Sequence, residues 1–144
     1  MRYSAPNFPC EFEIPDDWLI ESGIKNFAPS AEAYNSTPEA VLVSLAEVIP
    51  PMRKPSFPKD WRGFERGRLL AHLQRIVAGQ HIDPVPLVQL PDPDHLLPVP
   101  YRYFVRDGFH RFYASIIAGF TFLPASIETL AAVLQQSQSL GLRL

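Results

Sequence analysis

The residues whose types and spacing can do chemistry gather in one stretch, Tyr103-Phe-Val-Arg-Asp107-Gly108-Phe109-His110-Arg111-Phe-Tyr-Ala-Ser115. A β-favouring run ends on Asp-Gly, and a helical pattern opens at once. The first N–H groups of a helix lack intrahelical acceptors, and together with the helix dipole they favour an anion at that end. Gly108 carries no Cβ, so a ligand or another stretch of backbone can come close. On the helical period, His110 and Arg111 fall away from the centre of the apolar face. Neither is then expected to serve packing, and both can add donors to the same anion. The chemistry is phosphate binding by Gly108, Phe109, His110 and Arg111, with Asp107 orienting the turn. An ordinary helix cap beside a surface His-Arg pair is the competing possibility.

The charge pattern points the same way. Residues 1–49 carry a net −6 and residues 50–111 a net +4, although the whole chain is only −2. The bases of the middle segment are mostly arginines, whose planar fork suits phosphate. Arg53, Arg66 and Arg68 are further candidates for the same anion, unless they form a solvated face with ordinary ion pairs. A grip on a long nucleic-acid backbone calls for a basic domain, and this one is slightly acidic. A small phosphorylated ligand fits better.

Other constellations say less. Glu47, at the end of a strand and before the basic segment, is a candidate general base, or else an exposed strand-end carboxylate. His72, His81 and His95 show no ligand spacing, so no metal site is expected. Cys10 is the single cysteine, which excludes an internal disulfide and a paired-cysteine redox motif. No Walker loop, nucleophile elbow or zinc-protease helix motif is present.

These side chains must be positioned by short elements. The chain has 144 residues, the size of one domain, with 47% hydrophobic residues to fill a core and sixteen prolines that cut elements short. No apolar run is long enough to cross a membrane, and the opening residues lack the apolar core of a secretory signal, so a cytoplasmic chain is expected. Pro15-Asp16-Asp17-Trp18 starts a short helix that stops at Gly23, and Phe12, Ile14, Trp18 and Phe27 tack residues 1–40 onto the core as an extension. Val41 to Leu45 reads as a buried strand. Leu69, Leu70, Leu73, Ile76 and Val77 form a helix stripe between 64 and 78 that Gly79 ends. Val85 to Leu90 is strand-like, with Pro86 demoting it to an edge or an irregular start. Residues 91–100 form a long hairpin loop, and 101–105 the return strand. Phe109, Phe112, Tyr113, Ile116, Ile117 and Phe120 mark one face of the next helix. Residues 122–127 make a short strand interrupted by Pro124, and 128–144 carry an outer C-terminal helix. Helices flanking a small mixed sheet make the class α+β.

Several of these segments, in this order, resemble one family. Leu42-Val-Ser-Leu-Ala-Glu-Val-Ile49, the Leu69–Val77 helix, Gly79-Gln80, Ile82-Asp-Pro-Val-Pro-Leu-Val88, Arg106-Asp-Gly-Phe-His-Arg-Phe112 and Ala118-Gly-Phe-Thr-Phe-Leu-Pro-Ala125 together look like the ParB/sulfiredoxin-like domain over residues 41–127. The resemblance implies that fold. It also implies nucleotide or pyrophosphate binding at the strand-to-helix turn, with Gly108, His110 and Arg111 in phosphate-contact roles. The departures are specific. Sulfiredoxins carry their reactive cysteine where Phe109 stands, so sulfinic-acid repair lacks its nucleophile. Partitioning ParB proteins have a second arginine in place of His110 and continue into a helix-turn-helix module. Only 17 residues follow Ile127, so sequence-specific DNA binding is not expected.

The expectation is therefore a nucleotide- or phosphate-binding domain of this type. Its ligand would be a nucleoside di- or triphosphate with magnesium, and phosphoryl transfer onto another acceptor stays open. The alternatives are a catalytically inactive regulatory or interaction module on the same fold, with a protein partner or a second copy, or a ParB-like nuclease.

Overall fold

Only three residues, Leu45–Glu47 in a 3-10 turn, separate the two edge strands of the main sheet. That connection dictates the shape of the molecule. The computed structural model describes residues 1–6, 11–53, 60–91 and 101–139. In chain order the elements are β1 (Arg2–Ser4), β2 (Glu11–Glu13), α1 (Asp16–Ser22), β3 (Val41–Ser44), β4 (Val48–Ile49), β5 (Asp60–Trp61), β6 (Phe64–Glu65), α2 (Arg66–Val77), β7 (Val85–Gln89), β8 (Tyr103–Val105), α3 (Phe109–Ala118), β9 (Phe122–Thr129) and α4 (Leu130–Ser139). The five-stranded sheet runs β3-β9-β7-β8-β4. The outer strands of a flat five-stranded sheet would lie about 19 Å apart, whereas the chain from Ser44 to Val48 reaches at most about 14 Å. The sheet must curl to bring its edges together. The class is mixed α+β.

The ladders combine both senses. β3 is antiparallel to β9 (Val43 opposite Leu123), and β7 is parallel to β9 (Leu87 opposite Ile127). β7 is antiparallel to β8 (Val88 opposite Phe104), and β4 is parallel to β8 (Val48 opposite Tyr103).

Three strand expectations need correction. Val85–Gln89 is the central strand, not an edge or an irregular start. Pro86 is tolerated because it lies near the strand's beginning, and its carbonyl accepts the Arg106 N–H at 2.9 Å, one residue beyond the end of β8. Pro124 does not interrupt β9. It stands opposite Leu42, before the ladder to β7 begins at Ala125. Val41 and Leu42 are about half exposed because β3 is an edge strand, while Val43 and Leu45 are buried. The residues before Pro15 add β1 and β2, which pair as a two-stranded ribbon in which Tyr3 stacks on Phe12 at 5.4 Å.

The helices follow their apolar stripes. α2 buries Leu69, Leu70, Leu73 and Ile76, while Val77, in its last turn, is 40% exposed. It ends in a Schellman motif, with Gly79 N–H bonded to the Ile76 carbonyl and Gln80 N–H to the Arg75 carbonyl. α3 buries Phe112, Tyr113 and Ile117 and ends in the same way at Gly119. α1 begins after Pro15 and stops at Gly23. Ile14, Trp18 and Leu19 join the same hydrophobic cluster as Leu73, Leu87 and Phe112, so residues before 41 are built into the core. β9 runs on to Thr129, and α4 leaves Leu130 and Leu134 partly exposed. Among the described residues no helix is long and apolar enough to cross a membrane. Cys10, His95 and most of the expected 91–100 loop lie outside the described residues, although the antiparallel β7–β8 ladder is that of a hairpin.

Candidate functional site

β8 ends at Val105, and three residues later α3 begins with Gly108 as its N-cap. The first intrahelical bond is Phe112 N–H to the Gly108 carbonyl at 2.9 Å, so the Phe109, His110 and Arg111 N–H groups precede the helical ladder. Gly108 has φ +120, and a Cβ there would lie 3.0 Å from Val85 Cγ1 and 3.2 Å from the Arg111 guanidinium. What comes close to this glycine is thus the protein's own Arg111.

Around this turn opens a cleft of about 380 Å³ lined by Pro51, Met52, Arg53, Arg68, His72, Val105 and the whole Arg106–Arg111 turn. Four arginines reach it from four places: the segment after β4, α2, the turn itself and α3. Asp107 is the one acidic residue among the described lining residues. The arginines differ in how far the protein already uses them. Arg111 has a side chain only 16% exposed, and its Nη1 donates to the Pro84 carbonyl at 2.8 Å and the Asp83 carbonyl at 3.3 Å. Arg106 Nη1 pairs with Glu128 at 2.6 Å. Arg68 Nε pairs with Glu65 at 3.1 Å but stays 65% exposed. Arg53 stacks over the Phe109 ring at 5.8 Å, a cation–π contact that holds it at the cleft mouth. Gly63 packs closely against both partners, since a Cβ there would meet the Arg53 carbonyl at 3.0 Å and Phe109 Cζ at 3.4 Å.

His110 and Arg111 are not the packing-neutral pair that helical phase suggested. His110 is 5% exposed, and its Nε2 accepts the Glu65 N–H at 2.9 Å. The expectation failed because α2 and β6, through Phe64 and Glu65, cover the side of α3 that an isolated helix would leave to water. Asp107 is 84% exposed, and its carboxylate lies 4.0 Å from Arg111 Nη2, so it touches the turn through that ion pair. Gly108 itself has no side-chain cap.

Other expected residues lie elsewhere. Arg66 pairs with Glu21 on α1 and does not line the cleft. Glu47 is also absent from the lining. Its carboxylate sits 3.9 Å from Arg102, and its carbonyl accepts the Arg102 N–H. His81 faces Asp83 at 3.8 Å on the surface. Among the described residues no three His, Cys, Asp or Glu side chains gather as a metal site requires.

The structure adds His72, which the sequence suggested only as a metal ligand and without ligand spacing. Its ring is partly buried, its Nδ1 is inaccessible and without a hydrogen-bond partner, and burial reinforced by Arg111, Arg75 and Arg68 pushes its pKa down to about 4. The signal was available, because His72 lies four residues after Arg68 and so shares its helix face. A second feature was not legible. A recess of about 130 Å³ adjoins the cleft, shares Pro51, Met52, Arg53 and Phe109 with it, and is walled by Phe12, Phe64 and Tyr113. Phe109 sits 5.1 Å from Phe64 and 4.9 Å from Tyr113, ring centre to ring centre. A larger cavity of about 620 Å³ lies between the 27–42 segment and the C-terminal end of α2, and no charged residue is among those lining it. It offers no cation to an anion among the described lining residues.

Set against known protein families, curated proteins and solved structures, the chain matches none.

Proposed function

We propose that the protein is a nucleotide- or phosphate-binding domain of the ParB/sulfiredoxin type, with the ligand's phosphate against the N-terminus of α3. One observation carries this reading: four arginines from separate parts of the chain converge on a cleft that holds a single carboxylate among its described lining residues. Like charges brought together at a concave surface repel one another unless an anion offsets them. The adjoining aromatic recess supplies apolar faces for a planar base beside the phosphate site. Binding is better supported than phosphoryl transfer, since Glu47, the candidate base, does not line the cleft.

A second reading has its own observation. Arg111 and His110 both serve internal contacts, as a turn that only braces the fold would have them do. A thermal-shift series with nucleoside mono-, di- and triphosphates, each with and without magnesium, separates the two. Stabilisation by at least one nucleotide, lost in Arg53→Ala and Arg68→Ala, is the expected result. No shift with any of them leaves the bracing module.

A further inference from the structure

Half of the polar capacity of His72 is sealed. Nδ1 is inaccessible and has no partner. A proton there would be a buried donor without an acceptor, which is costly, so the neutral ring carries its hydrogen on Nε2. The charged and titratable groups facing the ring's surroundings are Arg68 and Arg75 on α2, Arg111 and His110 on α3, Arg53 after β4, and Arg106 and Asp107 in the turn. Burial first, and then these cations, keep the ring neutral down to about pH 4.

The described side chains that line the cleft thus offer donors and almost no acceptors. Guanidinium groups only donate. The N–H groups that open α3 only donate. His110 Nε2 is taken by the Glu65 N–H at 2.9 Å. The Asp107 carboxylate is 84% exposed and lies toward Arg111. A phosphate oxygen that still carries its proton would find, among the described lining side chains, no ready acceptor but that exposed carboxylate.

We propose that the cleft selects fully deprotonated tetrahedral dianions and that His72 contributes to it as a neutral Nε2–H donor. This rests on the cleft being an anion site and adds the ionisation state of the ligand and a residue outside the Asp-Gly-Phe-His-Arg turn.

Calorimetric titration of the full chain with sulfate and with inorganic phosphate, at pH 8.0 and 5.5 and constant ionic strength, tests it. Sulfate is a dianion at both values and should bind within about threefold of the same affinity. Phosphate, whose second ionisation lies near neutrality, should weaken about tenfold or more on acidification. Phosphate bound as tightly at pH 5.5 as at 8.0 overturns the donor-only site. The role of His72 is read separately. Nitrogen-15 NMR of the unliganded protein should show the Nε2–H tautomer, and an Nδ1–H ring overturns the assignment. His72→Gln, which keeps a neutral donor, should hold sulfate nearly as wild type does, whereas His72→Leu should weaken it about tenfold. Equal affinity in His72→Leu and wild type, or a sulfate affinity that climbs on acidification in wild type but not in His72→Gln, overturns the neutral-donor role. If neither anion binds wild type, the anion reading itself falls and takes this one with it.

Discussion

The imidazole Nε2 of His110 accepts the backbone N–H of Glu65 at 2.9 Å, tying the first turn of α3 to the residue that caps α2. The two helices that wall the cleft are therefore fixed to each other at their N-terminal ends. Because Nε2 accepts, this ring cannot give the same nitrogen to a ligand. Substituting His110→Phe keeps a flat aromatic ring but strands the Glu65 donor, and should cost about 1–3 kcal/mol in urea unfolding. A variant as stable as wild type would show that water replaces the acceptor.

Arg111 serves both fold and site. Its guanidinium spans from Asp107 to the Asp83 and Pro84 carbonyls, and Tyr34 Oη donates to that same Asp83 carbonyl at 2.7 Å. Arg111→Ala should lower stability by about 1–3 kcal/mol as well as weakening nucleotide binding by roughly tenfold to a hundredfold. Helical phase alone had suggested a small effect on stability. Urea titration beside binding calorimetry reads the two losses separately.

Phe112 is the contrast. It is fully buried, one residue from Arg111. Phe112→Ala should cost about 3–5 kcal/mol of stability by opening a cavity in the core. At temperatures where the variant is still folded, its nucleotide affinity should stay within about threefold of wild type.

Arg66 provides a negative control. It pairs with Glu21, outside the cleft, and both side chains are about half exposed. Arg66→Ala should leave anion binding unchanged and shift stability by less than about 1 kcal/mol. A loss of binding equal to that of Arg68→Ala would mean that charge anywhere on this face suffices.

The depressed pKa of His72 makes stability depend on pH. Unfolded, the ring takes a proton near pH 6.5, and folded only near pH 4. Between those values the unfolded chain binds more protons, so stability falls as pH drops through that window. The ring is partly solvated, which limits its share of the loss at pH 5 to about 1 kcal/mol. His72→Gln should remove that share, seen as a smaller difference between urea midpoints at pH 7.5 and 5.0 than in wild type.

Much of this was written locally in the chain. The stripe Leu69-Leu70-Leu73-Ile76 and the Schellman ending at Gly79 depend on residues within a few turns of each other, so periodicity located α2 closely. The Asp107-Gly108 break and the aromatic stripe after it placed α3 and its anion-favouring end for the same reason. Arg53 and Arg68 could be named as candidates from their type alone. What the tertiary structure decided was partnership. Whether Pro86 marks an edge or a centre depends on β9 and β8, which lie tens of residues away in sequence. Whether His110 faces water or a buried N–H depends on Glu65, 45 residues earlier. Arg66 left the cleft for Glu21, while His72 entered it on the face it shares with Arg68. A residue's identity sets what it can donate or accept, but burial and pairing across long chain separations set which of those capacities remain for a ligand.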